Sequence, residues 1–74
     1  MKDAYGNELK IGDFVKAIDP KWDHVIMRIL DVSEKYEMIF VKDDEHDIWP
    51  VSRKELKNLN WSDEQKMLWF LENS

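Results

Sequence analysis

Short apolar runs rich in β-branched and aromatic residues, divided by turn residues, fill much of the chain, and a helical spacing appears near the C-terminus. Phe14-Val15-Lys16-Ala17-Ile18 combines aromatic and β-branched side chains, which predicts a strand over residues 13–18. Residues 24–32 continue in an extended pattern, with Val25, Met27 and Ile29 on one face and Ile26, Arg28, Leu30 and Val32 on the other. Apolar groups on both faces place such a strand at the centre of a sheet. A buried helix is the competing reading of residues 25–32, and the turn signals on both sides favour the strand. Residues 36–41 are two-sided again, with Ile39 and Val41 opposite Tyr36, Met38 and Phe40. Joined through Ser33-Glu34-Lys35, the two segments predict an antiparallel hairpin. Ile48-Trp49-Pro50-Val51 fits a short strand that Pro50 confines to an edge or an end.

Turn chemistry separates these segments. Tyr5-Gly6-Asn7 supplies the positive φ of a tight reversal between short strands, and Gly12-Asp13 closes Leu9-Lys10-Ile11 before the next strand begins. Asp19-Pro20-Lys21-Trp22-Asp23 reads as a loop, because Pro20 biases Asp19 away from helix. Ser52-Arg53-Lys54-Glu55 has capping-box spacing and predicts a single helical turn carrying Leu56. Ser62-Asp63-Glu64-Gln65 repeats that spacing and opens a helix over residues 63–72, with Trp61 fixing the angle of entry. Along that helix Met67, Leu68 and Leu71 share an apolar arc, Phe70 lies at its flank and Trp69 on the far side. Docking through Met67 and Leu71 predicts an exposed Trp69. The expected organisation is one domain over residues 1–74, with a five-stranded barrel at 1–61, a single helical turn within it, and a C-terminal helical segment at 62–74.

Composition narrows what such a domain can do. Seventy-four residues hold one core, and the large side chains of four Trp, three Phe and two Tyr help so short a chain fold. With no cysteine there is neither a disulfide nor thiol chemistry, which fits a reducing compartment. Met1 leads into charged and polar residues rather than an apolar signal segment, so the expected location is cytoplasmic. Met67 to Leu71 is far too short an apolar stretch to cross a membrane. A net charge of −5, from 11 basic and 16 acidic residues, disfavours nucleic acid as a partner.

The segment Asp3-Ala4-Tyr5-Gly6-Asn7-Glu8-Leu9-Lys10-Ile11-Gly12-Asp13-Phe14-Val15 resembles the hairpin that opens SH3-like small barrels, and is similar to the C-terminal module of PhnA-like proteins. The later order of hairpin, edge strand and Val51-Ser52-Arg53-Lys54-Glu55-Leu56 is similar to the close of SH3-like and KOW-type barrels. The resemblance implies a mainly β fold, an SH3-like five-stranded small barrel with one helical turn and a C-terminal α-helix. The chain departs from that pattern in its acidity and its terminal helix. The zinc ribbon that accompanies the PhnA-like module is not among these residues, so no activity is carried over.

Each candidate for chemistry has an ordinary alternative. Asp43-Asp44-Glu45-His46-Asp47 offers oxygen ligands and an imidazole, as Asp23-His24 does on a smaller scale, yet both read as solvated turns without a cation-binding spacing. Ser33, Ser52, Ser62 and Ser74 sit at a turn, at two caps and at the terminus, and no nucleophile motif surrounds them. No catalytic residue and no cofactor is therefore assigned, and a small metal-dependent enzyme is the most distant alternative. Trp22 in a charged loop and Trp49 on an edge strand are the aromatic anchors of a candidate contact surface; the competing reading has Trp49 closing a barrel end and Trp22 covering apolar neighbours. With Asp43 and Asp44 as its acidic part, this surface predicts a non-enzymatic protein-binding module: a regulator, adaptor or inhibitor. Trp69 and Phe70 are further anchors, for a partner or for a second copy in a homodimer. The alternative is a nucleic-acid-binding barrel using Lys54, Lys57 and Trp49, and a variant has the acidic tip imitate a phosphate backbone.

Overall fold

A computed structural model describes residues 1–73. Five strands form one antiparallel sheet: β1 (Phe14–Ala17), β2 (Met27–Ser33), β3 (Met38–Lys42), β4 (Ile48–Ser52) and β5 (Leu56–Asn58). Their spatial order is β4-β3-β2-β1-β5, so the two-sided β2 is central and the proline-containing β4 is an edge, as the pattern predicts. A 3-10 turn at Arg53–Glu55 leads into β5, with the Ser52 side chain accepting from the Lys54 amide at 3.3 Å. The chain ends in α1 (Asp63–Asn73). This is the expected mainly β fold with one C-terminal helix; Ser74, the last residue of the expected helical segment, lies outside the described residues. Among the described residues no helix is long and apolar enough to cross a membrane.

The count of five strands holds, but their membership differs. Residues 9–11 form no strand, and the opening segment contributes only an isolated bridge between Lys2 and Glu8. The fifth strand is Leu56–Asn58, which pairs with β1 through Ala17–Leu56, Lys16–Lys57 and Val15–Asn58. Leu56 and Asn58 are buried and Lys57 is exposed. Three residues with a polar side chain at a buried position leave almost no alternation to detect.

Pro50 costs the sheet no ladder bond. The Asp43 amide donates to the Asp47 carbonyl at 3.0 Å, which makes 43/47 a hydrogen-bonded pair. Alternation then gives 41/49 and 39/51 the same status, and Pro50, opposite Phe40, turns its nitrogen away from β3. A second irregularity sits in β2, where Ile29 faces Val41 and Asp31 faces Phe40, so that Leu30 is a bulge. Past the bulge the faces exchange: Val32, predicted opposite Ile29, joins it against the core.

Two apolar layers lie on opposite faces of this sheet. Leu9, Val15, Met27, Ile29, Ile39, Val41 and Leu56 make the inner core. Phe14, adjacent to Val15 and therefore pointing the other way, is only 1% exposed and is covered by aromatic rings. Trp61 stacks on it at 4.9 Å between centroids, with Trp69 at 5.0 Å and Phe70 at 5.7 Å. The helix is placed by a capping box, in which the Ser62 amide donates to Gln65 Oε1 at 2.9 Å and the Gln65 amide to Ser62 Oγ at 3.2 Å.

That docking overturns the predicted helix orientation. The stripe facing the sheet runs through Lys66, Trp69 and Phe70, with Lys66 Nζ 3.4 Å from Asp13 Oδ1. Trp69 is half-buried, whereas Met67, Leu68 and Leu71 are exposed. Phe14 supplies the reason, since a large ring on the outer face is covered best by other rings.

Gly12 has φ +93° and donates its amide to the Ile29 carbonyl at 2.9 Å. A Cβ there would meet nothing within 4 Å, so the cost of a side chain is confined to the backbone. Gly12→Val is expected to lose about 1 to 2 kcal/mol in chemical denaturation. An unchanged midpoint would contradict the requirement for a left-handed residue.

Candidate functional site

The sheet does not close on itself. β4 and β5 are its two edges, joined in sequence only by the 3-10 turn, and an open groove of about 890 Å³ lies along this gap. Its deeper lining is apolar: Met27 and Leu56 are buried, and Ala17, Val25 and Val51 are partly buried. Two loops rise beside it, the β1–β2 connection at residues 18–26 and the β3–β4 connection at 43–47.

The first loop is shaped by Asp19. Its side chain accepts from the Lys21 amide at 2.9 Å and its carbonyl from the Trp22 amide at 2.9 Å, while the Trp22 carbonyl accepts from the Val25 amide at 3.1 Å. These successive turns keep residues 24–26 out of the predicted strand and carry Trp22 to the groove, 60% exposed. The Ile18 amide, donating to the Glu55 carbonyl at 3.0 Å, holds the start of this loop to the 3-10 turn.

The second loop is organised by Asp43. Oδ1 accepts from the Glu45 and Asp47 amides, both at 2.9 Å, and Oδ2 accepts from the Trp49 indole N–H at 2.9 Å. The Trp49 hydrogen bond, against a smaller opposing effect of desolvation and with help from the two amides, holds the Asp43 carboxyl below its ordinary 3.8. Trp49, opposite the buried Val41, thus lies on the core side of the sheet at its open edge, 50% exposed. Asp43 positions it.

Trp22, Trp49, Asp43 and Asp44, read separately from the sequence, all line this one groove. Trp69 and Phe70 do not. They lie on the outer side of the sheet, where Trp69 and Phe70 pack on Phe14 and the Arg28 guanidinium sits 5.1 Å from the centre of the Phe70 ring. The predicted exposure of Trp69 is corrected by that contact. A smaller hollow of about 240 Å³ borders both rings together with Arg28 and Lys42, and Asp43 and Asp44 line it as well as the groove.

Sequence reasoning missed Asp19 and Glu55, which add to the groove's acidic lining with no motif to connect them. Glu45 and Asp47 join from the tip. Neither Lys54 nor Lys57 lines the groove; Lys57 lies 5.7 Å from the centre of the Tyr5 ring. Among the described residues no three His, Asp or Glu side chains are grouped as a metal ion would need. No protein-family description matches this sequence, and no curated protein or solved structure matches it.

Proposed function

We propose that this chain is a small non-enzymatic protein-binding module, a regulator, adaptor or inhibitor, that holds its partner in the groove beside β4. The observation that carries this reading is the convergence of Trp22 and Trp49, from separate elements, on one partly apolar groove. Large half-exposed aromatics beside an apolar depression are the usual anchors of protein recognition. The strand order and the 3-10 turn before β5 support an SH3-like barrel as the finer description of the fold. The absence of cysteine supports a cytoplasmic setting.

Affinity capture from nuclease-treated cell extract tests the function. A protein retained by the natural chain is expected to be lost on a Trp22→Ala/Trp49→Ala double variant whose melting temperature is nearly unchanged. Equal retention by both chains, or capture that disappears on nuclease treatment, would overturn the reading.

A further inference from the structure

We infer that the groove accepts a basic polypeptide segment, with lysine or arginine side chains entering between the acidic loops and against the two tryptophans. This rests on the groove being the protein-binding site, and goes further by naming the chemistry of what enters. Asp19, Asp43, Asp44, Glu45, Asp47 and Glu55 line it, and none of the chain's 11 Lys and Arg residues does. Asp44, Glu45, Asp47 and Glu55 have no side-chain hydrogen bond or ion pair within the described residues. Folding therefore gathers like charges around an apolar depression and leaves these four without an ion pair. Lys66 stands beside Asp13, and Arg28 and Lys42 border the smaller hollow that Asp43 and Asp44 also line, outside the groove itself.

The tryptophans select among cationic occupants. The Trp49 indole N–H is already donated to Asp43, so the exposed part of that side chain is ring surface rather than a hydrogen-bond donor. Ring faces attract ammonium and guanidinium groups, and the aliphatic stems of lysine and arginine match the apolar lining. A groove of about 890 Å³ is large for an isolated cation and suits several residues of a chain. The edge of β4 is a poor template for strand addition, because Pro50 has no N–H at its outward-facing position. Side chains must then supply the recognition.

Fluorescence anisotropy with labelled synthetic peptides of roughly ten residues tests this on the full chain. Three peptides of one spacing carry lysine and arginine, glutamine, or glutamate at alternate positions. The basic peptide is expected to bind about tenfold or more tighter than the glutamine peptide, and Trp22→Ala or Trp49→Ala to weaken it by about tenfold. Asp44→Asn/Asp47→Asn should weaken it by a similar factor of about ten, whereas Glu34→Gln/Glu72→Gln, the same change in net charge away from the groove, should leave it within about twofold. Equal weakening by both charge pairs, equal binding of the glutamine peptide, or spermidine competing as effectively as the basic peptide would each overturn the inference. If a neutral or acidic peptide binds best and the tryptophan variants abolish it, the inference fails while the groove's role in protein binding survives. Peptide binding indifferent to both tryptophans would remove both.

Discussion

Phe14→Ala is expected to cost about 3 to 5 kcal/mol, the largest effect of any single truncation in this domain. The side chain is almost wholly buried, yet it does not belong to the inner core. It is the seat on which Trp61, Trp69 and Phe70 rest, and it is what joins the helix to the sheet. A domain of this size is stabilised by only about 5 to 10 kcal/mol, so the loss approaches the whole. In thermal unfolding the midpoint should fall by more than about 15 °C, with loss of the near-ultraviolet signal of the stacked rings. Phe14→Leu keeps much of the volume and should cost about half as much. A variant Phe14→Ala that melts within a few degrees of the natural protein would mean that the helix is not held by this contact.

Asp3→Ala should follow at about 3 kcal/mol, for a different reason. Asp3 is 3% exposed, and its carboxylate accepts from the Tyr5 and Asn7 amides at 2.8 Å, the Asn58 amide at 2.7 Å and the Asn7 side chain at 3.2 Å. It ties the opening turn to β5, and Asn58 extends the tie through the Glu8 carbonyl at 2.8 Å. Truncation would leave several donors without an acceptor. Burial by itself raises the pKa of Asp3, but these hydrogen bonds together outweigh it and hold the carboxyl below its ordinary 3.8. A carboxyl whose folded pKa is depressed stabilises the fold above its unfolded pKa, and that contribution is lost as pH falls through the folded value. The natural protein should therefore lose stability below about pH 4, and Asp3→Ala should lack this part of the acid dependence. Parallel stability profiles for the two proteins between neutral pH and the acid limb would show that Asp3 is not the group responsible.

These two residues also mark where sequence reading succeeds and where it stops. The central hairpin was legible because Ile39 and Val41, and Met27 and Ile29, repeat with the period of the pleat on a buried face. Pro50 indicated an edge, and the Ser62–Gln65 pairing indicated the start of the helix. The bulge at Leu30 was not legible, because an inserted residue leaves the local composition unchanged while moving Val32 to the other face. The helix face was misassigned for a related reason. Met67, Leu68 and Leu71 form a good apolar arc, but a face is chosen by what it meets, and that was Phe14 on the outer side of β1. β5 escaped notice because its buried Asn58 is stabilised by Asp3, a partner from the other end of the chain.

The groove was legible only in pieces. Trp22 and Trp49 stood out as aromatics in polar surroundings, and the acidic tip stood out by its charge. Their convergence depends on an open sheet edge and on the Asp43–Trp49 hydrogen bond, neither of which has a local pattern.

Titration of the ¹⁵N-labelled chain with the basic peptide, followed through the four tryptophan indole signals by nuclear magnetic resonance, shows where such a peptide binds. Two of these reporters, Trp22 and Trp49, line the groove, while Trp61 and Trp69 pack on Phe14 at the other face of the sheet. The Trp22 and Trp49 indoles and the amides of residues 43–47 should shift together and saturably, with Trp61 and Trp69 left in place. Shifts concentrated at Trp61 and Trp69, or around Lys54 and Lys57, with the Trp22 and Trp49 signals unmoved, would contradict it.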